Sequence, residues 1–183
     1  MDYLRQLARE WYEYHGYFVR RALPVGTTPD GAWECALDIV ALHLGRHHVI
    51  HIEPSFTVTP LTHHSIQFQQ KFDAGKKYLH RLFNFPPRLH IEQIALIENF
   101  SDPPLKTIGG GRVLYLHDLV SHLLKRFAEL GPRAESVPTQ WPLLRTLQLA
   151  SICGHSPGGH RIRDSSEETP ISQYDPRLAD DSS

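Results

Sequence analysis

The sequence predicts an α/β fold: a mixed β-sheet flanked by helices, with the core order α-β-β-β-α-β-β-α. Three observations carry this. Segments 3–15 and 63–83 repeat apolar residues at helical spacing. Residues 33–58 hold two apolar runs on either side of Gly45-Arg46-His47, the pattern of two adjacent strands joined by a tight turn. Further short apolar runs follow the second helix, and strands interleaved with helices imply a sheet with helices on both faces.

The elements follow in order. Leu4, Leu7, Ala8, Trp11 and His15 mark one face of the first helix, and Gly16 stops it. Residues 17–23, YFVRRAL, make a short strand, and Gly26, Pro29, Asp30 and Gly31 punctuate the loop after it. Strands at 33–44 and 48–58 come next, ended by Pro60. Helix 63–83 takes Thr62 as its cap and presents Ser65, Phe68, Phe72, Leu79 and Phe83 as its apolar stripe. Pro86-Pro87 forces a break. Residues 89–97 form a strand with Ile91, Ala95 and Ile97 inward. Residues 98–111 form a loop, and its Gly109-Gly110-Gly111 run precedes a strand and lacks a Walker lysine, so it reads as a flexible connection. A strand at 112–116, a helix at 117–130 before Gly131, and a helix at 140–152 with Pro142 in its first turn complete the domain. In this reading residues 1–154 are one domain and 155–183 a polar, acidic C-terminal tail with little structure of its own.

The bulk numbers fit this. The chain has 183 residues with 40% hydrophobic content, enough for a real core. No apolar run reaches the roughly 18–20 residues that span a bilayer. The opening MDYLRQLAREWYEYHGYF has neither the cationic lead nor the apolar stretch of a secretory signal. Cys35 and Cys153 make no metal-type pair, and Cys35 alternates with Leu37 and Ile39 as a reduced core residue would. A cytoplasmic protein without membrane contact is expected. The formal charge is -1, but residues 155–183 hold three of the basic and six of the acidic groups, so the body is slightly basic. That is far from the charge of a strong nucleic-acid binder.

The chemistry concentrates between Trp33 and Ser55, WECALDIVALHLGRHHVIHIEPS. Asp38 stands inside an apolar strand and Glu53 at the end of its neighbour. Charged groups are placed in such runs when they are paired or hold a metal. Alternation puts Asp38 on a face with Glu34, Ala36 and Val40, and Glu53 with Val49, His51 and Ser55. His51 therefore reads as a strand histidine or a helper of Glu53. Two carboxylates that approach one point suit a hard divalent ion, Mg²⁺ or Mn²⁺, which favours oxygen ligands. His47-His48 and His63-His64 are adjacent pairs whose members point apart, so zinc is not expected.

The element order, with Asp38 in LDIVAL and Glu53 in VIHIEPS, resembles the restriction-endonuclease-like superfamily, the PD-(D/E)xK nucleases, over about residues 3–130. The resemblance implies a metal-dependent endonuclease that hydrolyses phosphodiester bonds in DNA, with Asp38 and Glu53 holding Mg²⁺ or Mn²⁺. It adds Glu10 as a helical metal-ligand candidate, with Glu13 as its alternative; a surface role for Glu10 fits the sequence equally well. The sequence departs from the family where a lysine should follow Glu53 by two residues, because Ser55 stands there. Losing such a preorganised donor costs about 3–4 kcal/mol of transition-state stabilisation. Ser55 together with a lysine from the next helix is the expected replacement, Lys76 beside the apolar stripe or Lys71 one turn past Gln67, with Lys77 also in range. On the same helix Gln67, Gln69, Lys77 and Arg81 are the residues the resemblance places near DNA; a solvated polar face is the plainer reading. The missing lysine also fits a catalytically inactive pseudo-nuclease that serves as a nucleic-acid-binding or protein-assembly module. A homodimer or a larger protein complex remains compatible with either.

Overall fold

A computed structural model describes residues 3–56, 61–83, 90–98, 103–131 and 135–154. The expected tail at 155–183 and the Pro86-Pro87 break lie outside the described residues. The elements run α1 (Tyr3–Tyr14), β1 (Phe18–Thr27), β2 (Trp33–His43), β3 (His48–Ser55), α2 (Leu61–Leu82), β4 (His90–Ile97), β5 (Thr107–Ile108), β6 (Gly111–Tyr115), α3 (Leu116–Leu130) and α4 (Pro142–Gly154). The chain forms two compact units, residues 1–119 and 120–183. Among the described residues no helix is long and apolar enough to cross a membrane.

The first unit holds one six-stranded mixed sheet in the order β1-β2-β3-β4-β6-β5. β1, β2 and β3 pair antiparallel, β3, β4 and β6 parallel, and β5 returns antiparallel to β6. Parallel neighbours need a crossover, and α2 supplies it between β3 and β4. β1 runs four residues further than the sequence pattern suggested, through Pro24 and Gly26. As an edge strand it tolerates the missing N–H of a proline.

The helix α2 lies over the sheet on two apolar clusters. Phe68 and Phe72 pack with Ala95, Ile97, Ile108, Val113 and Tyr115. Ala74 and Leu79 pack with Val25, Leu37, Val40 and Val49. The Gly109-Gly110-Gly111 run proves to be a tight hairpin and not a loose connection. Gly109 and Gly110 have φ of 56° and 84° between paired Ile108 and Gly111, as a two-residue type I′ turn requires. Gly111 leaves room for a ring, since a Cβ there would stand 2.2 Å from Phe72 Cε2.

The alternation expected for β2 breaks between Leu37 and Val40. Leu37 and Val40 lie in one cluster although they stand three positions apart, an odd spacing that strict alternation forbids. Opposite Asp38 in the β1–β2 register, between the pairs Arg21–Ile39 and Leu23–Leu37, stands Ala22 with φ of 47°. A non-glycine residue in the left-handed region marks local strain, which concentrates at special positions.

In the second unit, Gln148 of α4 is buried and clamps the segment before its own helix. Its Oε1 accepts the Val137 N–H at 2.8 Å, and its Nε2 donates to the Glu135 carbonyl at 3.0 Å.

Candidate active site

The site forms where β2, β3, α1 and α2 each contribute one charged side chain. β3 delivers Glu53 near its C-terminal end, buried to 2% exposure. Such a carboxylate must be fully hydrogen-bonded to be tolerated. Its Oε1 accepts the Asp38 backbone N–H at 2.9 Å and His51 Nε2 at 2.7 Å. Its Oε2 accepts the Lys71 ammonium at 2.5 Å.

Asp38 faces the same ammonium. Lys71 Nζ lies 2.9 Å from Asp38 Oδ2, and Arg5 Nη2 from α1 reaches that oxygen at 3.0 Å. Among the described residues Asp38 Oδ1 takes no hydrogen bond, and the side chain is 19% exposed. Burial pushes the Asp38 carboxyl up, but the contact with Glu53 and the bonds from Arg5 and Lys71 outweigh it and hold it below its ordinary range. Burial likewise works against the charge on Lys71, and the opposing charge and hydrogen bond of Glu53, with those of Asp38, hold its pKa above the usual value. Lys71 is thus a fixed ammonium between two carboxylates.

Of the lysines considered from sequence, Lys71 reaches the carboxylates. Lys76 does not turn inward: it is exposed and meets Asp73 at 3.7 Å. Lys77 pairs with Glu34 at 3.2 Å and lies 4.6 Å over the Tyr78 ring, while Tyr78 also donates to Glu34. The helical periodicity held the signal. Phe68, Lys71, Phe72, Gly75 and Leu79 recur at three- and four-residue spacing, so Lys71 belongs to the inward stripe.

Ser55 sits two residues beyond Glu53 on β3, half-buried, and its carbonyl accepts the Glu98 N–H at 3.0 Å. Glu10 is wholly buried on α1, which removes the reading of a surface residue, and its Oε1 accepts Gln6 Nε2 at 2.7 Å. Gln67, Gln69 and Arg81 are exposed on α2. Arg5 carried no motif and was not foreseen.

No family model, curated protein or solved structure matches this chain.

His51 completes the arrangement. It is wholly buried beneath α2, its ring edge-on to Phe72 with centroids 5.3 Å apart. Among the described residues its Nδ1 has no hydrogen-bond partner. A Cβ on Gly75 would fall 2.4 Å from that nitrogen, so only glycine lets the helix close over the imidazole.

Asp38 and Glu53 are the two carboxylates here that could take a hard divalent ion. Asp38 Oδ1 carries no protein donor, and the side chain is partly open to solvent beside a second carboxylate. Mg²⁺ commonly takes one or two carboxylates and completes its shell with water and phosphate oxygens. Among the described residues no group of three or more His, Cys, Asp or Glu converges to hold a metal.

Proposed function

We propose that the chain is a metal-dependent nuclease of restriction-endonuclease-like topology that hydrolyses phosphodiester bonds in DNA at Asp38, Glu53 and Lys71. The observation that carries this reading is the Lys71 ammonium within hydrogen-bonding distance of both carboxylates, 2.9 Å from Asp38 and 2.5 Å from Glu53. It provides, from a helix, the charge missing at Ser55. Strand order supports the reading as well: an antiparallel β1-β2-β3 meander feeds a parallel β3–β4 pair through α2.

Asp38 and Glu53 would hold Mg²⁺ or Mn²⁺, which when bound polarises the phosphate and makes its water acidic. Lys71, held above its ordinary pKa, stays protonated near neutral pH. It therefore acts as a charged donor that orients water and offsets phosphate charge, not as the base. Arg5 supplies a second cation on the same side of Asp38. Exposed Gln67, Gln69, Lys76 and Arg81, with Lys77, line the outer face of α2 as backbone contacts for the DNA.

A second reading has its own observation. Arg5 and Lys71 already balance the charges of Asp38 and Glu53 without a metal. A pseudo-nuclease that uses the quartet only to knit α1, α2 and the sheet together is consistent with that balance.

Cleavage of labelled single-stranded, duplex and branched DNA with Mg²⁺ or Mn²⁺ separates the two. The nuclease reading expects metal-dependent cutting that is lost in Asp38→Ala and falls by about 10²–10³-fold in Lys71→Met. A folded protein that cuts none of these substrates, yet binds nucleic acid or protein in EDTA, is the pseudo-nuclease.

A further inference from the structure

We infer that His51, wedged beneath Gly75, is a positioning residue that leaves Glu53 a single oxygen for a divalent cation and so biases the site against Ca²⁺. The inference rests on the metal-binding reading above and goes beyond it, to the histidine hydrogen-bonded to Glu53.

Glu53 accepts at Oε2 from Lys71 and at Oε1 from the Asp38 N–H, so the His51 nitrogen facing Oε1 must bring a proton. His51 therefore carries hydrogen on Nε2. Its Nδ1 is enclosed against Gly75 with no partner, and a proton there would be a buried, unsatisfied donor. The buried ring thus aims its Nε2–H at one oxygen of Glu53.

The consequence falls on Glu53. Its Oε1 is filled by two donors, the Asp38 N–H at 2.9 Å and His51 Nε2 at 2.7 Å. Only Oε2 retains a lone pair beyond the one used by Lys71. The carboxylate cannot rotate to present both oxygens to one ion without breaking both bonds at Oε1. Mg²⁺ and Mn²⁺ accept single-oxygen carboxylates in six-coordinate shells, whereas Ca²⁺ takes more oxygens and often uses a carboxylate through both. Phe72, edge-on to the imidazole, and Gln93, which donates to the Phe72 carbonyl at 2.7 Å, hold the helix over the ring.

Calorimetric titration of Mn²⁺ and Ca²⁺ into the full chain tests this, with thermal unfolding to show that each variant is folded. His51→Phe keeps a ring and removes the donor. His51→Gln places an amide N–H near the original Nε2, and His51→Asn is one methylene too short to reach Glu53. The expected result is Mn²⁺ binding weakened 10–100-fold in His51→Phe and His51→Asn, the size usual for hydrogen-bond partners of metal ligands. Ca²⁺ should weaken less, so the Mn²⁺/Ca²⁺ affinity ratio falls, and His51→Gln should recover the wild-type ratio to within a few-fold. Should His51→Phe fail to fold, the amide pair decides alone. An unchanged ratio in His51→Asn, with wild-type Mn²⁺ binding intact, overturns the inference and leaves the nuclease reading standing. A wild-type protein that binds neither ion overturns both.

Discussion

The Lys71 ammonium lies 2.5 Å from Glu53 Oε2, although the two stand 18 residues apart on different elements. That contact brings helix α2 to the carboxylate end of β3 and makes a position invisible to a local motif the cationic member of the site. Lys71→Met should leave Glu53 buried with one oxygen unserved. A loss of about 1–3 kcal/mol of unfolding free energy is expected, the cost of an unsatisfied buried acceptor, taken below the figure for a fully buried ion pair because the lysine is a third exposed. Lys76→Met, on an exposed i,i+3 pair, should fall within about 0.5 kcal/mol of wild type. Urea midpoints of the two variants make the comparison.

The same residues show how much was legible in the sequence. Asp38 and Glu53 stood out because a carboxylate in an apolar run needs a partner, and Val49, His51 and Glu53 face α2 as period-two alternation requires. Alternation failed between Leu37 and Val40, alongside a left-handed Ala22 on the neighbouring strand that no local pattern announces. Glu10 looked undecided because a helix shows its inward stripe but not which polar neighbours the core will also cover. Arg5 was silent for a similar reason: a basic residue beside an apolar stripe usually marks solvent, and only the approach of α1 to β2 brings it to Asp38.

The two shifted groups give the metal-free protein a stability plateau. Asp38 has its folded pKa below the ordinary 3.8, so its contribution is present above that value and is lost as pH falls through the depressed folded value. Lys71 has its folded pKa above the ordinary 10.5, so its contribution is full below that value and is lost as pH rises through the raised one. In EDTA, chemical denaturation across pH should show the acid loss reduced in Asp38→Asn and the alkaline loss reduced in Lys71→Met, relative to wild type. Equal acid slopes in wild type and Asp38→Asn would contradict the depressed carboxyl.

Two glycines separate close packing from backbone conformation. At Gly111 a Cβ would enter the Phe72 ring, at 2.2 Å from Cε2. Gly111→Ala should displace that wholly buried ring and cost about 1–3 kcal/mol, the range for overpacked cores. Gly131, just past α3, has φ of 68° with nothing within 4 Å of its would-be Cβ. Gly131→Ala meets only the left-handed conformation and should cost about 1 kcal/mol. Thermal or urea unfolding ranks the pair, and the reverse order would mean that Phe72 has room to move.

Amide substitutions at the two carboxylates should differ sharply, because their oxygens are served differently. In Asp38→Asn the carbonyl oxygen can keep the position of Oδ2 and accept from Arg5 and Lys71, while the NH₂ turns to the place of Oδ1, where no protein donor competes. The change should cost under about 1 kcal/mol, since both cations are a third or more exposed and screened. In Glu53→Gln neither orientation works. With the oxygen toward Asp38 N–H and His51, the NH₂ meets the Lys71 ammonium; turned about, it meets the Asp38 N–H. One donor-against-donor contact persists at a site only 2% exposed, and a loss of about 2–4 kcal/mol follows. Denaturant midpoints in EDTA read this without reference to catalysis. Equal losses in the two variants would mean that Glu53 is not held by three donors at once.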